Sequence, residues 1–89
     1  MGEMFEELFL EKIRLYRMRS GFTQEEMAQK IGYKSKSGYN NLESGKVKMS
    51  LGQLEEIIRI LRIPLEEIEE ILRLVYEQEK FNSLRTQSY

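Results

Sequence analysis

Three glycines and the only proline divide this chain of 89 residues into five segments, each with apolar residues at helical spacing. Glycine is common just after the end of a helix, and proline fits the first turn of one. The apolar stripes recur with the period of a helix rather than that of a strand. The break points are Gly21, Gly32, Gly45 and Pro64. The sequence therefore predicts an all-α protein of five helices.

Capping patterns mark the start of two of these helices. In a capping box, a serine or threonine and the glutamate or glutamine three residues later each accept from the other's backbone N–H. Thr23 with Glu26 fits this pattern, and so does Ser50 with Gln53. The predicted helices run from about Met4 to Arg19, from Thr23 to Gly32, from residues 35–37 to about Ser44, from Ser50 to Pro64 and from Pro64 to about Asn82. Residues 83–89 are expected to form a frayed polar tail.

Cysteine and histidine are both absent from the chain. Their absence removes the common nucleophile–base pairs and zinc ligands, so we expect no enzyme, no metal site and no cofactor. The acidic N-terminus does not fit a signal peptide, and no apolar run approaches the roughly 18 residues that span a bilayer. We therefore expect one cytoplasmic domain over residues 1–89, with no membrane partner.

The charges are unevenly distributed along the chain, although the net charge is only -1. Residues 1–11 have a net charge of -4, residues 12–48 of +6, and residues 49–89 of -3. A basic centre between acidic ends fits a mixed solvated surface, and it equally fits a cationic face for an anionic partner. Charge alone does not separate the two.

The central part of the chain resembles the phage-repressor family, also called the Cro/C1 or XRE helix-turn-helix family. The resemblance covers about residues 9–68 and rests on Arg17, Gly21, Thr23, Gln24, Ala28, Gly32, Glu43 and Gly45. It implies a lambda-repressor-like DNA-binding domain, here with an extended C-terminal helix over residues 64–82. The interval from Gly32 to Gly45 is one residue longer than is usual in the family. We place the extra residue within 33–36, between the second and third helices.

The third helix is expected to lie in the major groove of DNA. Its exposed candidates for base contacts are Lys36, Ser37, Asn40 and Asn41, and the resemblance assigns this role to all of them except Asn40. Lysine can donate to guanine, and asparagine can pair with adenine. Phosphate contacts are expected from Gln24, which matches a family position, and from Lys34, Ser35, Lys46 and Lys48 around the third helix. Tyr33 and Ser44 could add to these. The alternative is an ordinary solvated helix face.

Two further positions call for structural explanations. The resemblance implies that Arg17 and Glu43 form a partly buried ion pair between the first helix and the end of the third. Gly38 lies inside the third helix, where glycine costs about 1 kcal/mol relative to alanine. Either a close approach to DNA or simple tolerance of a turn would explain it.

The apolar stripe of the fifth helix suggests an interface. A single helix-turn-helix unit reads only a short half-site, so specificity usually requires a dimer. We expect Ile71, Leu72, Val75, Tyr76 and Phe81 to form a two-fold interface. The alternative is that this stripe folds back on the first helix of the same chain.

Together these features predict a sequence-specific transcriptional regulator, and we expect a repressor that binds an operator in double-stranded DNA as a homodimer. One alternative is the antitoxin of a toxin–antitoxin pair, which would bind a toxin as well as its own promoter. Another is a protein-interaction module that has kept the fold but lost DNA binding.

Overall fold

The computed structural model describes residues 2–87, with side chains over residues 4–79. Five helices follow one another along these residues, and this part of the chain contains no strand. They are α1 (Gly2–Ser20), α2 (Gln24–Lys30), α3 (Lys36–Glu43), α4 (Leu51–Leu61) and α5 (Leu65–Gln87). The prediction of an all-α protein with five helices is confirmed.

Both predicted capping boxes are present. The Thr23 hydroxyl accepts from the Glu26 N–H at 3.0 Å, and the Thr23 N–H donates to the Glu26 carboxylate at 2.9 Å. Ser50 and Gln53 form the same two bonds, which are 3.1 and 2.9 Å long. Because these N–H groups have no partner inside the helix, each box fixes the residue at which its helix begins.

The fifth helix is longer than predicted. Its backbone stays helical to Gln87, so the expectation of a frayed tail from residue 83 is wrong over residues 83–87. This stretch contains neither glycine nor proline. Nothing in it therefore interrupts the backbone hydrogen bonds of the helix.

Helix α1 lies at the centre of the fold. It packs on α3, α4 and α5, while α2 packs on α3. The buried core is made of Phe9, Leu10, Ile13, Met27, Ala28, Tyr39, Leu42, Ile57, Leu61, Ile63 and Ile71. Burial of each large apolar side chain contributes about 1.5–3 kcal/mol. Every helix supplies at least one of these residues, and α3 is held in place by its packing on α1 and α2.

Contacts near the start of α5 hold it on α1. The Lys12 ammonium lies 3.0 Å from the Glu67 carboxylate, and the Tyr16 hydroxyl donates to the same carboxylate at 3.3 Å. The hydrogen bond from Lys12 is the main reason why the pKa of Glu67 is lowered. One turn further along α5, Ile71 is only 1% exposed.

The placement of Ile71 corrects part of the predicted dimer interface. Its side chain packs in the core of its own protomer, so it is not available to a second copy. Val75 is half-buried, whereas Leu72 is 42% and Tyr76 73% exposed. Phe81 lies outside the residues whose side chains are described. The apolar stripe of α5 therefore serves its own fold at Ile71 and remains exposed at Leu72 and Tyr76.

Candidate nucleic-acid interface

Helix α3 has a buried face and a polar face. Tyr39 and Leu42 are buried on the first. The Ser35 hydroxyl caps the helix by accepting from the Gly38 N–H at 3.4 Å. The residues predicted to contact bases are together on the polar face: Lys36, Ser37, Asn40 and Asn41. The first two are exposed and the asparagines are half-buried, so the start of α3 is its most accessible part.

Arg17 and Glu43 form a two-pronged ion pair. Arg17 Nε donates to Glu43 Oε2 at 2.9 Å, and Nη2 donates to Oε1 at 3.0 Å. The third guanidinium nitrogen donates to the backbone carbonyl of Phe22 at 3.0 Å. Glu43 is only 2% exposed, so this pair compensates a charge that has been removed from water. It joins α1, the turn before α2 and the end of α3.

The Gln24 amide is engaged at both of its ends. Its carbonyl oxygen accepts from Asn40 Nδ2 at 3.1 Å, and its Nε2 donates to Glu43 Oε1 at 3.3 Å. An amide nitrogen carries two hydrogens, so one N–H of Gln24 remains for an outside acceptor such as a phosphate. Sequence reasoning placed Gln24 and Asn40 in separate roles, but the structure links them.

Arg14 belongs to the same surface, and sequence reasoning missed it. Its guanidinium donates to the backbone carbonyl of Glu43 at 3.1 Å. A shallow cavity of about 120 Å³ is lined by Arg14, Gln24, Asn40, Glu43 and Ser44. The available signal was the spacing of Arg14 from Arg17, which places both on nearby faces of α1.

Four lysines flank α3. Lys34 and Lys36 lie at its start, and Lys46 and Lys48 lie in the turn after it. All four are exposed, and within residues 4–79 none of them forms a salt bridge. The turn is itself fixed, since the backbone carbonyl of Asn41 accepts from the Lys46 N–H at 3.0 Å. The positive charge of this region is thus free to meet an anionic partner.

The loop between α2 and α3 contains residues 33–36, where the additional residue is predicted. The Tyr33 N–H donates to the Ala28 carbonyl at 2.8 Å and closes the end of α2, while Gly32 takes a φ of 84°. Helix α3 then begins at Lys36 after the cap at Ser35. Residues 33–36, where the additional residue is predicted, thus join two helices whose ends are both regular.

Tyr33 provides an explanation for Gly38 that the sequence did not suggest. A Cβ atom at Gly38 would lie 3.0 Å from Cδ1 of the Tyr33 ring. The Tyr33 hydroxyl accepts from Gln53 Nε2 at 2.8 Å and keeps its own hydrogen to donate. The hydroxyl of Ser44, the other residue expected to add a phosphate contact, donates to the Asn41 carbonyl at 3.3 Å. The small size of Gly38 thus makes room for an aromatic ring of the same chain.

Tyr39 is a fully buried residue with a polar group. Its hydroxyl has no hydrogen-bond partner among the described residues. Burial, together with the nearby Glu43 carboxylate, raises the pKa of the Tyr39 phenol. Tyr39 belongs to the core, and the sequence pattern alone does not show whether a buried hydroxyl is paired.

Comparison with known proteins points to one family. The sequence model of a helix-turn-helix family matches residues 13–68, more than half of the chain. No curated protein and no solved structure gives a significant match. Of the helices within residues 2–87, none combines the length and apolarity that crossing a membrane requires.

Proposed function

Since the chain belongs to the Cro/C1-type (XRE) helix-turn-helix family of DNA-binding transcription regulators, we propose that it is a sequence-specific repressor that binds an operator as a homodimer. Members of this family are in general not enzymes. The observation that carries the proposal is the polar face of α3, with exposed lysines at both ends and an ion pair anchoring its last residue. A helix held in this way is suited to insertion into the major groove.

The residues on the polar face would read the sequence. The exposed Lys36 can donate to the acceptors of guanine, and Ser37 can donate to or accept from several bases. Asn41 can form two hydrogen bonds with adenine. Asn40 was also predicted to contact a base, and its bond to Gln24 restricts the directions in which its amide can point.

Phosphate contacts would provide affinity that does not depend on sequence. Lys34, Lys46 and Lys48 can each neutralise a phosphate, and Ser35 retains a hydroxyl proton to donate. The free N–H of Gln24 can also donate to a phosphate. Arg14 lines the same surface cavity as Gln24. These contacts would fix the orientation of α3 on the duplex.

Dimerisation would use the exposed part of the α5 stripe. Leu65, Leu72 and Tyr76 are exposed and are spaced so that they share one face of the helix. To bind two half-sites at once, a dimer formed through this face must place its two α3 helices about one helical turn of DNA, or a multiple of it, apart. Occupation of a promoter by such a dimer would block transcription.

The decisive experiment selects duplexes from a random-sequence library with the wild-type chain. The expected result is one enriched sequence with two-fold symmetry, and a reporter promoter carrying it should be silenced by the protein. Binding should weaken with salt, with a log–log slope of about -0.9 for each phosphate neutralised.

A scrambled duplex of the same composition is the control, and it should bind more weakly than the enriched duplex at every salt concentration. Failure to enrich any sequence, or a slope near zero, would contradict the proposal. That outcome would favour a protein-interaction module that uses this fold without binding DNA.

A further inference from the structure

A hydrogen bond links the loop before α3 to the start of α4. Gln53 Nε2 donates to the Tyr33 hydroxyl at 2.8 Å, across 20 residues of sequence. Tyr33 and Gln53 are both half-buried, so solvent competes with this bond only in part. The bond joins the loop between α2 and α3 to a helix outside the helix-turn-helix pair.

Gln53 holds a fixed orientation. Its carbonyl oxygen accepts from the Ser50 N–H at 2.9 Å as part of the capping box of α4. This bond determines which end of the amide points away from the cap, and the nitrogen therefore faces Tyr33. The start of α4 thus presents a rigid donor to the loop.

Tyr33 passes this constraint to the first turn of α3. Its ring lies against Gly38, where a Cβ atom would be only 3.0 Å from Cδ1. The cap at Ser35 is a long hydrogen bond of 3.4 Å, which is a weak restraint by itself. Helix α3 packs mainly on α2 and α1, so the Tyr33 ring and hydroxyl provide a separate link to α4.

We propose that Tyr33 and Gln53 are positioning residues that fix the first turn of α3, and so determine how sharply Lys36 and Ser37 discriminate between bases. The inference rests on the proposed DNA-binding function. Base recognition depends on side chains held within about 0.5 Å of the productive geometry, whereas phosphate attraction tolerates larger shifts. A looser first turn should therefore reduce specificity and leave general affinity unchanged.

The test compares variants by the ratio of affinities for the duplex enriched by the wild-type chain and for its scrambled control. Tyr33→Phe keeps the ring and removes the hydroxyl. We expect this ratio to fall about five- to tenfold, less than the loss of a complete bidentate base contact can cost. Affinity for the scrambled duplex should change much less than affinity for the enriched duplex. An equal loss on both duplexes would leave the ratio unchanged and would mean that the hydroxyl contacts phosphate instead.

Two further variants separate positioning from stability. Ser50→Ala weakens the cap of α4 but leaves the Tyr33–Gln53 pair in place, so it should lower the melting temperature without changing the ratio. Gln53→Glu keeps an acceptor for the Ser50 N–H, and its second carboxylate oxygen can accept from the Tyr33 hydroxyl. It should therefore retain the wild-type ratio even if its added charge weakens binding to both duplexes.

The outcomes are distinct. An unchanged ratio in Tyr33→Phe overturns the inference, as does a ratio that follows the melting temperature across Tyr33→Phe and Ser50→Ala. If the wild-type chain enriches no duplex at all, the DNA-binding proposal fails first and this inference fails with it.

Discussion

Asn40 of α3 donates a 3.1 Å hydrogen bond to Gln24 at the first position of α2, so the side-chain amides of the two helices are directly joined. Gln24 donates in turn to Glu43 at 3.3 Å, and Glu43 is held by Arg17 at 2.9 Å. Four polar residues from three helices thus form one network below the proposed DNA surface. Because neighbours in such a network are energetically coupled, the phosphate-facing and base-facing residues depend on one another.

Replacing Arg17 should destabilise the fold strongly. Arg17→Ala leaves the buried Glu43 carboxylate without its partner, and we expect the free energy of unfolding to fall by about 3 kcal/mol or more. Urea denaturation followed by circular dichroism measures this change.

An exposed ion pair provides the matched control. Arg59 and Glu55 are 2.7 Å apart on the surface of α4, four residues from each other. Arg59→Ala should change stability by no more than about 0.5 kcal/mol. Equal effects of the two arginine substitutions would contradict a structural role for the Arg17–Glu43 pair.

Removing the buried hydroxyl of Tyr39 should stabilise the protein. That hydroxyl lost its hydrogen bonds to water on folding and found no partner among the described residues. Tyr39→Phe keeps the ring and should raise the free energy of unfolding by about 1 kcal/mol. A loss of stability in thermal denaturation would mean that the hydroxyl does have a partner, such as the nearby Glu43 carboxylate or a bound water molecule.

Tyr39 should also make the stability of the protein depend on pH in the alkaline range. The pKa of Tyr39 is raised in the folded state, chiefly by burial, so the unfolded chain loses this proton first as the pH rises. Unfolding is then favoured, and the contribution of the protonated phenol to stability is lost progressively above about pH 10. The stability of Tyr39→Phe relative to wild type should therefore increase as the pH rises past that value. Denaturation curves recorded at several pH values test this, and a constant difference would contradict it.

The sequence predicts the helices well because their signals are local. The capping boxes at Thr23 and Ser50 and the left-handed glycines require only a few neighbouring residues. The end of α4 shows the limit, because Arg62 takes a φ of 53° at a position where glycine would be expected. No local pattern identified that residue as the one to adopt a left-handed backbone.

The polar contacts of the site were harder to predict because they join distant parts of the chain. Gln24 meets Asn40 across 16 residues, and Tyr33 meets Gln53 across 20. A solvated polar face and a hydrogen-bonded one have the same sequence pattern, so only the packing distinguishes them. The family resemblance supplied the Arg17–Glu43 pair but not its extension to Gln24.

Gly38→Ala should stabilise the protein only if the Tyr33 ring is removed. Alanine improves helix propensity by about 1 kcal/mol, but its Cβ would press on Tyr33. We expect Gly38→Ala to be neutral or destabilising in the wild type, and stabilising by about 1 kcal/mol in a Tyr33→Ala background. A double-mutant cycle by urea denaturation measures the coupling, and additive effects would show that the ring does not constrain this position.

Asn41 and Lys46 should affect DNA binding in different ways. Asn41→Ala should relax discrimination at one base pair by about 1–3 kcal/mol, while Lys46→Ala should weaken binding to all sequences alike and make the salt slope shallower by about 1. Titrations of the selected duplex, its single-base variants and a scrambled duplex separate the two effects. If both variants changed affinity in the same pattern, the division between base-reading and phosphate-contacting residues would be wrong.

The exposed apolar residues of α5 should control the oligomeric state. Replacement of Leu72 and Tyr76 together by glutamate places charges at the centre of the proposed two-fold interface, where they would lie close to their symmetry mates. We expect wild-type protein to sediment as a dimer and the double variant as a monomer in analytical ultracentrifugation. The variant should retain its fold, because both side chains are exposed in the protomer.

Leu51→Glu is the matched control for added charge. Leu51 is 84% exposed and belongs to α4, not to the proposed interface on α5, so this variant should remain dimeric. The double variant should also lose much more affinity for a duplex with two half-sites than for a duplex with one. Only the duplex with two half-sites can bind both recognition helices of a dimer at once. A wild-type chain that sediments as a monomer at high micromolar concentration would contradict an interface on α5, and so would dissociation caused equally by Leu51→Glu.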